Sequence, residues 1–364
     1  MKKSVTSAYV HIPFCEHICS YCDFCKMYYD KKWINNYLKA LEKEIKNNYQ
    51  GEKLKTIYIG GGTPSSLDVN ELKQLFEILS IFNKENDIEF TMEVNPENIT
   101  KEKLLLMKKY GINRISMGVE STNDRLLKFL NRKHDYSMVK EKINLMKEIG
   151  FNNINVDLIY AIPNETIFDL KNDLDNLTNL PINHISLYSL MINDNTKLMI
   201  DKIKPIDEDL DYEMYNYIGN YLQEKGFNHY EISNFCKEGY ESLHNLVYWH
   251  NEEYYGFGLG ASGYLNNIRY ENTKSISNYL NGKYILEEEE LTINDKITYE
   301  LILGFRLING INKKDFYNKY GINLNDLFNI KDLIKEKKLI DNGSHIKVSY
   351  DKIYIENDIL INFL

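Results

Sequence analysis

Short apolar segments rich in β-branched and aromatic residues alternate with helical patterns, and this alternation restricts the fold more than any other sequence feature. We predict strands at residues 8–12, 56–60, 88–94, 114–119, 153–160 and 184–190. Amphipathic helical patterns lie between them, at residues 33–48, 69–82, 101–110, 136–149 and 168–180. Strands that alternate with helices form a parallel sheet, and six consecutive βα units wind into a barrel or an incomplete barrel.

No Gly-x-Gly-x-x-Gly motif follows the first strand, which disfavours a dinucleotide-binding sheet. We therefore predict an α/β fold with an incomplete, TIM-like (β/α)6 barrel. A long helix at 208–225 and a strand at 229–232 are predicted next. The pattern then changes to three short helices, at 295–307, 313–320 and 330–337, and a hairpin of 346–348 with 352–355. The predicted domain organisation is a barrel at 1–230, an extension at 231–293 and a small helical, winged domain at 294–364.

Four of the five cysteines lie within one short loop that follows the first predicted strand. Cys15, Cys19 and Cys22 are separated by three and then two residues. Thiolates this close together can hold one small object, and iron–sulfur clusters and zinc are the usual candidates. No second Cys-x-x-Cys pair follows, as a structural zinc site would require. Free thiols or a disulfide are the less favoured alternative, since so short a loop is poorly suited to unstrained pairing.

The predicted carboxyl ends of the strands are unusually polar, and in a parallel βα barrel the active site gathers there. Three glycines, 60–62, precede Thr63 after the second strand, so the backbone can approach a ligand and offer its N–H groups. A tight turn is the alternative for this segment. Glu93 ends the third strand, where an apolar residue would be usual.

The fourth, fifth and sixth strands carry polar residues at alternate positions, so that one face of each is polar. Examples are Ser116, Glu120, Asp157 and Ser186. Buried polar groups cost free energy unless they are paired. We therefore predict a polar ligand inside the barrel, next to the cysteines.

Charge and hydropathy exclude other classes of protein. The formal net charge of −9 disfavours nucleic-acid binding, which needs clustered Lys and Arg. No apolar run has the roughly 18 residues of a membrane span. The basic start, Met1-Lys2-Lys3, is followed by too few apolar residues for a secretory signal, so a cytoplasmic location is expected.

The cysteine spacing, with Tyr9 six residues before it, and the Gly-Gly-Gly-Thr-Pro turn resemble the radical S-adenosylmethionine (SAM) superfamily. More narrowly, residues 9–306 are similar to its coproporphyrinogen-oxidase-like branch. Three motifs are similar to the heme-chaperone group of that branch. They are Tyr-Cys-Asp-Phe at 21–24, Tyr-Glu-Ile-Ser-Asn-Phe at 230–235 and His-Asn-Leu-Val-Tyr-Trp at 244–249.

The resemblance implies that Cys15, Cys19 and Cys22 hold three irons of a [4Fe–4S] cluster, and that SAM chelates the fourth. The further residues that it implies for cofactor binding are Tyr9, Tyr21, Gly61, Gly62, Thr63, Glu93, Glu120, Arg132 and Asp157. Arg132 and Asp157 match positions around a second SAM in the oxidases. Glu120 stands where that branch usually has Gln, and its carboxylate disfavours a second ligand that itself bears a carboxylate.

The same resemblance implies heme as a further ligand, with His244 as the residue that ligates or attaches it. Phe24 occupies the position of a fourth cysteine in the oxidases, which favours the heme-chaperone group, and Cys25 is interpreted as incidental. The implied function is delivery of heme to respiratory acceptor proteins. The alternative is an oxygen-independent coproporphyrinogen III oxidase, which decarboxylates propionate side chains by radical chemistry. A homodimer and peripheral membrane association are implied as well.

Overall fold

The structure is a computed structural model that describes residues 5–327 and 329–364. The basic start of the chain, on which the expectation about a secretory signal rested, lies outside the described residues. Within the described ranges, no helix is both long enough and apolar enough to cross a membrane.

Six parallel strands form the centre of a nine-stranded sheet. They are β1 (Ser7–Ile12), β2 (Leu54–Gly61), β3 (Lys84–Val94), β4 (Arg114–Glu120), β5 (Asn153–Tyr160) and β6 (His184–Ser189). All six were predicted, with ends that differ by at most four residues. The apolar residues Ala8, Val10 and Ile12 of β1 are buried on one face of the strand. Ser7 and His11 are buried on the other face, so β1 is covered on both sides.

Helices connect these strands on the outside of the sheet. The helices of the barrel region are Lys31–Asn48, Val69–Leu79, Lys101–Lys109, Asp124–Phe129, Tyr136–Ile149, Ile167–Thr178, Lys197–Ile200 and Glu208–Glu224. Their starts follow from local chemistry. Asp68 and Glu71, for example, form a reciprocal capping box at the start of the second helix.

Three shorter strands complete the sheet, namely β7 (Asn228–Glu231), β8 (Asn234–Cys236) and β9 (Tyr255–Phe257). The order across the sheet is β9-β1-β2-β3-β4-β5-β6-β8-β7. β9 pairs with β1 in parallel, whereas β8 pairs with β6 antiparallel. The two outermost strands, β7 and β9, do not pair with each other in the described part of the chain. The predicted incomplete (β/α)6 barrel is confirmed, but strands β8 and β9 were not predicted.

The region after the sheet contains a three-stranded antiparallel sheet of Ser262–Leu265, Ile268–Asn272 and Ile285–Glu290. Its helices are Leu243–Trp249 and Ile276–Leu280. The predicted domain boundaries at residues 230 and 293 stay a prediction.

The last part of the chain has its own apolar core, which includes Leu301, Phe316 and Ile346. Its helices are Ile293–Gly304, Lys313–Tyr320, Ile330–Lys335 and Glu356–Leu360. One of the two strands of the predicted hairpin is confirmed and the other is wrong. His345–Val348 is a strand, but it pairs with Leu339–Asp341 and with Ile311–Asn312.

Residues 352–355, the predicted second strand, belong instead to the 3-10 helix Tyr350–Ile355. Turn chemistry explains the difference. Gly343 has a φ of +96° and lies between the two paired strands, so an Asn-Gly turn closes the hairpin on the other side of His345–Val348.

Candidate functional site

A cavity of about 420 Å³ opens at the carboxyl ends of the parallel strands. It is lined by most of the residues that the sequence singled out, namely Cys15, Cys19, Tyr21, Cys22, Gly61, Gly62, Thr63, Glu93, Glu120, Arg132 and Asp157. The polar residues of the later strands, Ser116, Asn155, Ser186 and Tyr188, line it too. The polar faces of these strands therefore do point into the barrel.

The cysteine loop is closed by pairing between its two ends, and its centre is tied to the barrel. Its start is the strand Phe14–Cys15, which pairs in parallel with Met27–Tyr28 after the loop. At the loop centre, the N–H of Ser20 donates to the carbonyl oxygen of Leu130 at 3.1 Å. The side-chain amide of Asn131 donates to the carbonyl oxygen of Ile18 at 2.8 Å. These bonds fix the loop against the segment that carries Arg132.

Hydrogen-bond donors approach two of the three sulfur atoms. The hydroxyl of Thr63 lies 3.5 Å from the Sγ of Cys15, and the Nη1 of Arg132 lies 3.5 Å from the Sγ of Cys19. Burial raises the pKa of the Cys22 thiol to about 11. A metal bound there displaces the proton, because the thiolate is the ligand.

The three sulfurs fit a [4Fe–4S] cluster, since they line one cavity and donors of the kind that tune such clusters approach two of them. In the described residues, no three His, Cys, Asp or Glu side chains are grouped so as to hold a single metal ion. Cys25 does not line the cavity, and its carbonyl oxygen accepts a hydrogen bond from the Nε2 of His11 at 2.7 Å. His11 thus orients the loop backbone, as its position suggested.

The three glycines of the second strand end are needed for packing within the protein. A side chain at Gly60 would meet the carboxylate of Glu93 at 2.9 Å, and one at Gly62 would meet the Sγ of Cys15 at 2.9 Å. The N–H groups of Gly61 and Gly62 are already bonded. The N–H of Gly61 donates to Glu93 and that of Gly62 to Ile12. The prediction that these N–H groups are offered to a ligand is therefore wrong.

Glu93 is held at the wall of the cavity by two donors. The hydroxyl of Tyr58 donates to its Oε1 at 2.9 Å, and the N–H of Gly61 donates to its Oε2 at 3.0 Å. Burial, and then the nearby carboxylate of Asp157, raise the pKa of Glu93 to about 7. Sequence analysis missed Tyr58, which lines the cavity and stands between Ile57 and Ile59 in β2, two buried residues of the opposite face.

Glu120 ends β4 in the left-handed conformation, with a φ of +66°, where the pairing with β5 shifts register. Burial raises the pKa of this carboxyl group to about 7, although the positive charge of Arg132 opposes the shift. Arg132 donates to the side-chain oxygen of Asn95 at 3.0 Å and to the carbonyl oxygen of Gly118. The arginine therefore bridges the cysteine loop and the ends of two strands.

Asp157 lies deeper, where the hydroxyl of Ser116 and the side-chain amide of Asn155 donate to its two oxygens at 3.3 and 2.8 Å. Burial raises the pKa of Asp157. Tyr9, in contrast, does not line the cavity. Its hydroxyl lies 3.0 Å from the Nδ1 of His11.

His244 lies outside the cavity and is only 1% exposed. Its Nδ1 lies 2.8 Å from the hydroxyl of Thr56, and its Nε2 lies 2.8 Å from the hydroxyl of Tyr248. Burial lowers the pKa of His244 to about 3, so the ring is neutral. Both ring nitrogens are occupied, so an iron could bind only after one of these hydrogen bonds breaks.

A second cavity, of about 430 Å³, lies between the helix Leu243–Trp249 and the C-terminal core. Its lining includes Trp249, His250, Phe316 and His345. The indole Nε1 of Trp249 is buried without a hydrogen-bond partner. This cavity places aromatic side chains and an exposed histidine next to the motif that contains His244.

Comparison with family models and known proteins gives consistent results. Residues 9–177 match the radical SAM superfamily, and residues 291–350 match the HemN C-terminal domain. The chain is 38% identical to the heme chaperone HemW of Lactococcus lactis, with 100% of this chain and 98% of the relative covered. It is also 38% identical to HemW of Bacillus subtilis, with 98% and 99% covered.

Among solved structures, the fold is similar to that of the coproporphyrinogen III oxidase HemN of Escherichia coli. The TM-score is 0.87 over 99% of this chain and 90% of the oxidase, at 23% sequence identity. At this identity the similarity concerns the fold alone.

Proposed function

The chain belongs to the HemW family of heme chaperones within the radical SAM superfamily, and we propose on this premise that it binds heme and delivers it to acceptor proteins. The observation that carries the proposal is the identity of 38% to relatives named heme chaperones, over the full length of both chains. The residue at position 24 supports it. Phe24 is 65% exposed at the cavity rim, where the oxidases have a cysteine.

We assign Cys15, Cys19 and Cys22 to three irons of a [4Fe–4S] cluster. Bound together, the cluster and SAM would supply one-electron radical chemistry, which belongs to the cofactors. The chain's own residues hold and orient these groups. Thr63 and Arg132 donate towards two of the sulfurs, which favours the thiolate form.

Glu93 is suited to bind the amino group of SAM, because its two oxygens are fixed by Tyr58 and Gly61. The carbonyl oxygens of Gly61 and Gly62 are the groups of the glycine turn that we assign to the same ligand, since the N–H groups are bonded elsewhere. Tyr9, Tyr21 and Glu120 stay predictions as cofactor-binding residues. Arg132 and Asp157 stay predictions for a second SAM, which the carboxylate of Glu120 disfavours.

The alternative function is an oxygen-independent coproporphyrinogen III oxidase. Two parallel assays on anaerobically reconstituted protein separate the two functions. One measures protoporphyrinogen IX formed from coproporphyrinogen III, and the other measures heme binding and transfer to an apo-acceptor. We expect transfer without oxidase turnover. Multiple turnover in the first assay would establish the oxidase instead. A triple Cys15→Ala, Cys19→Ala, Cys22→Ala variant serves as the cluster-free control.

His244 remains our proposed heme ligand, and the structure supplies a control for it. Heme uptake by a His244→Ala variant is compared with uptake by His250→Ala, which changes the exposed histidine of the second cavity. We expect the loss of heme binding with His244→Ala alone. Loss with His250→Ala alone would move the ligand to the second cavity.

A homodimer and peripheral membrane association are parts of the same proposal. The first is tested by sedimentation of the protein with and without its cluster. The second is tested by flotation with liposomes, and protein that stays at the bottom of the gradient would contradict it.

A further inference from the structure

Within the described part of the chain, the side chain of a buried arginine at the floor of the main cavity makes no hydrogen bond and no ion pair. Arg114 is the first residue of β4, is 2% exposed and lines the cavity. Its Nε is buried without a hydrogen-bond partner. Among the described residues, its guanidinium group makes no hydrogen bond and no ion pair within 4.0 Å.

The acids of the same cavity have other partners. Asp157 accepts hydrogen bonds from Ser116 and Asn155, and Glu93 accepts them from Tyr58 and Gly61. Asp157 is close enough to feel the positive charge of Arg114, but it does not bond to it. The acids of the cavity therefore accept no hydrogen bond from the guanidinium group of Arg114.

A buried cation without a partner is costly, because burial removes its water shell without replacing the hydrogen bonds. A ligand that supplies an anion offsets this cost when it binds to the buried cation. Guanidinium has a planar fork of N–H donors that matches a carboxylate in two parallel hydrogen bonds.

We propose that Arg114 is the binding group of a carboxylate subsite at the floor of the cavity, opposite the cysteine loop. The subsite deepens the proposed function and rests on it for the identity of its ligand. Two carboxylate ligands follow from that function, a propionate of heme and the amino-acid carboxylate of a second SAM, since the first SAM binds the cluster at the cysteine loop. Glu120 disfavours a ligand carboxylate near the mouth of the cavity. The positive charge of Arg114 favours one at the floor instead.

The test compares hemin with its dimethyl ester, in which both propionates are neutral. We expect wild-type protein to bind hemin about tenfold to a hundredfold more tightly than the ester, as for a charged hydrogen-bonded pair. An Arg114→Gln variant should lose this preference and bind the ester as before. Arg125→Gln, which removes an exposed arginine paired with Asp169, is the matched control.

SAM binding to the reconstituted protein is the second arm. A similar loss of SAM affinity in Arg114→Gln, with hemin binding unchanged, assigns the subsite to the SAM carboxylate. If neither ligand responds to Arg114→Gln, the proposal is overturned. Wild-type protein that binds no hemin at all contradicts the proposed function, while the SAM arm still tests the subsite.

Stability distinguishes this subsite from a structural role. Without ligand, Arg114→Gln should be at least as stable as wild type, because an unpaired buried charge is removed. A large drop in the melting temperature of the ligand-free variant would indicate a structural arginine and contradict the proposal. If Arg114→Gln does not fold, that outcome counts against the proposal in the same way. Arg114→Lys keeps the charge but not the fork, and should retain part of the preference for hemin.

Discussion

At the scale of single residues, Gly62 shows how tightly the cysteine loop is packed against the second strand end. A Cβ atom at this position would lie 2.8 Å from the carbonyl oxygen of Pro13 and 2.9 Å from the Sγ of Cys15. We expect Gly62→Ala to displace Cys15 and to lower the iron content after reconstitution well below that of wild type. The loss of stability should be about 1–3 kcal/mol, as for overpacking.

The matched control is Gly111→Ala. Gly111 has a φ of +91° but no atom within 4 Å of an added Cβ, so this variant only acquires backbone strain of about 1–2 kcal/mol. Its iron content should equal that of wild type. Full iron loading of Gly62→Ala would contradict the assigned packing.

Glu165 gives the protein a dependence of stability on pH. The side chain is 3% exposed, its Oε1 has no partner, and its Oε2 accepts a hydrogen bond from the N–H of Ile162 at 2.9 Å. Burial raises the pKa of Glu165 from 4.5 to about 8. The folded state therefore holds a proton that the unfolded state releases near pH 4.5, and the free energy of unfolding falls as pH rises towards 8.

We expect Glu165→Gln to reduce this fall, by at most about 1.4 kcal/mol per pH unit. The measurement is chemical unfolding of both proteins at several pH values between 5 and 8. Parallel stability curves for wild type and variant would show that Glu165 does not titrate in this range.

At the scale of elements, strand β9 depends on a glycine that leaves room for the neighbouring strand. A side chain at Gly256 would overlap the backbone carbonyl group of Ser262, and the N–H of Gly256 donates to the hydroxyl oxygen of Tyr270 at 2.9 Å. The overlap is with backbone atoms, which cannot move aside as the end of a flexible side chain can. Gly256→Ala should therefore lower the free energy of unfolding by about 3 kcal/mol.

Gly282→Ala is the control for this element. No atom lies within 4 Å of its added Cβ, and its φ of +77° leaves only backbone strain of about 1–2 kcal/mol. The ranking of the two variants in urea unfolding checks the prediction. Equal free energies of unfolding for the two variants would contradict the prediction. They would mean that β9 and the three-stranded sheet move apart with little loss of stability.

The sequence did not predict β9 because only three residues form it, and Gly258 and Gly260 follow directly after them. Its stability comes from parallel pairing with β1, which lies nearly 250 residues earlier. Local patterns carry no information on such a contact. The six longer strands were predicted because both the apolar composition and the intervening helices indicated them.

At the scale of the whole molecule, backbone hydrogen bonds join the C-terminal part of the chain to the barrel, and a partly buried ion pair within the C-terminal part lies beside them. The N–H of Ile232 donates to Arg306, and the N–H of Ile308 donates to Tyr230. The Nε of Arg306 lies 3.6 Å from the Oε1 of Glu356, whose side chain is 3% exposed. Burial raises the pKa of Glu356 to about 7, and Arg306 opposes the shift.

We expect Arg306→Met to destabilise the protein by about 3 kcal/mol at pH 8, since it leaves a buried carboxylate without its cation. The loss should be smaller at pH 5, where Glu356 is protonated in the folded state.

The double variant Arg306→Met, Glu356→Gln should recover most of the stability, because the uncompensated charge is gone. Thermal unfolding at the two pH values checks both statements. A double variant as unstable as the single one would show that Arg306 acts through Asn357, to which it donates at 2.7 Å, and not through the charge of Glu356.

The sequence by itself determined the succession of βα units, the cysteine loop and the polar faces that point into the cavity. These features depend on periodicity and on spacing within short segments, which a single sequence displays directly. The tertiary structure alone decided which groups remain free for a ligand. It showed that the N–H groups of the glycine turn and both nitrogens of His244 are already bonded, and that Arg114 is not. The reason is that a hydrogen bond is satisfied by partners far apart in the chain, so only the folded molecule shows which polar groups still lack one.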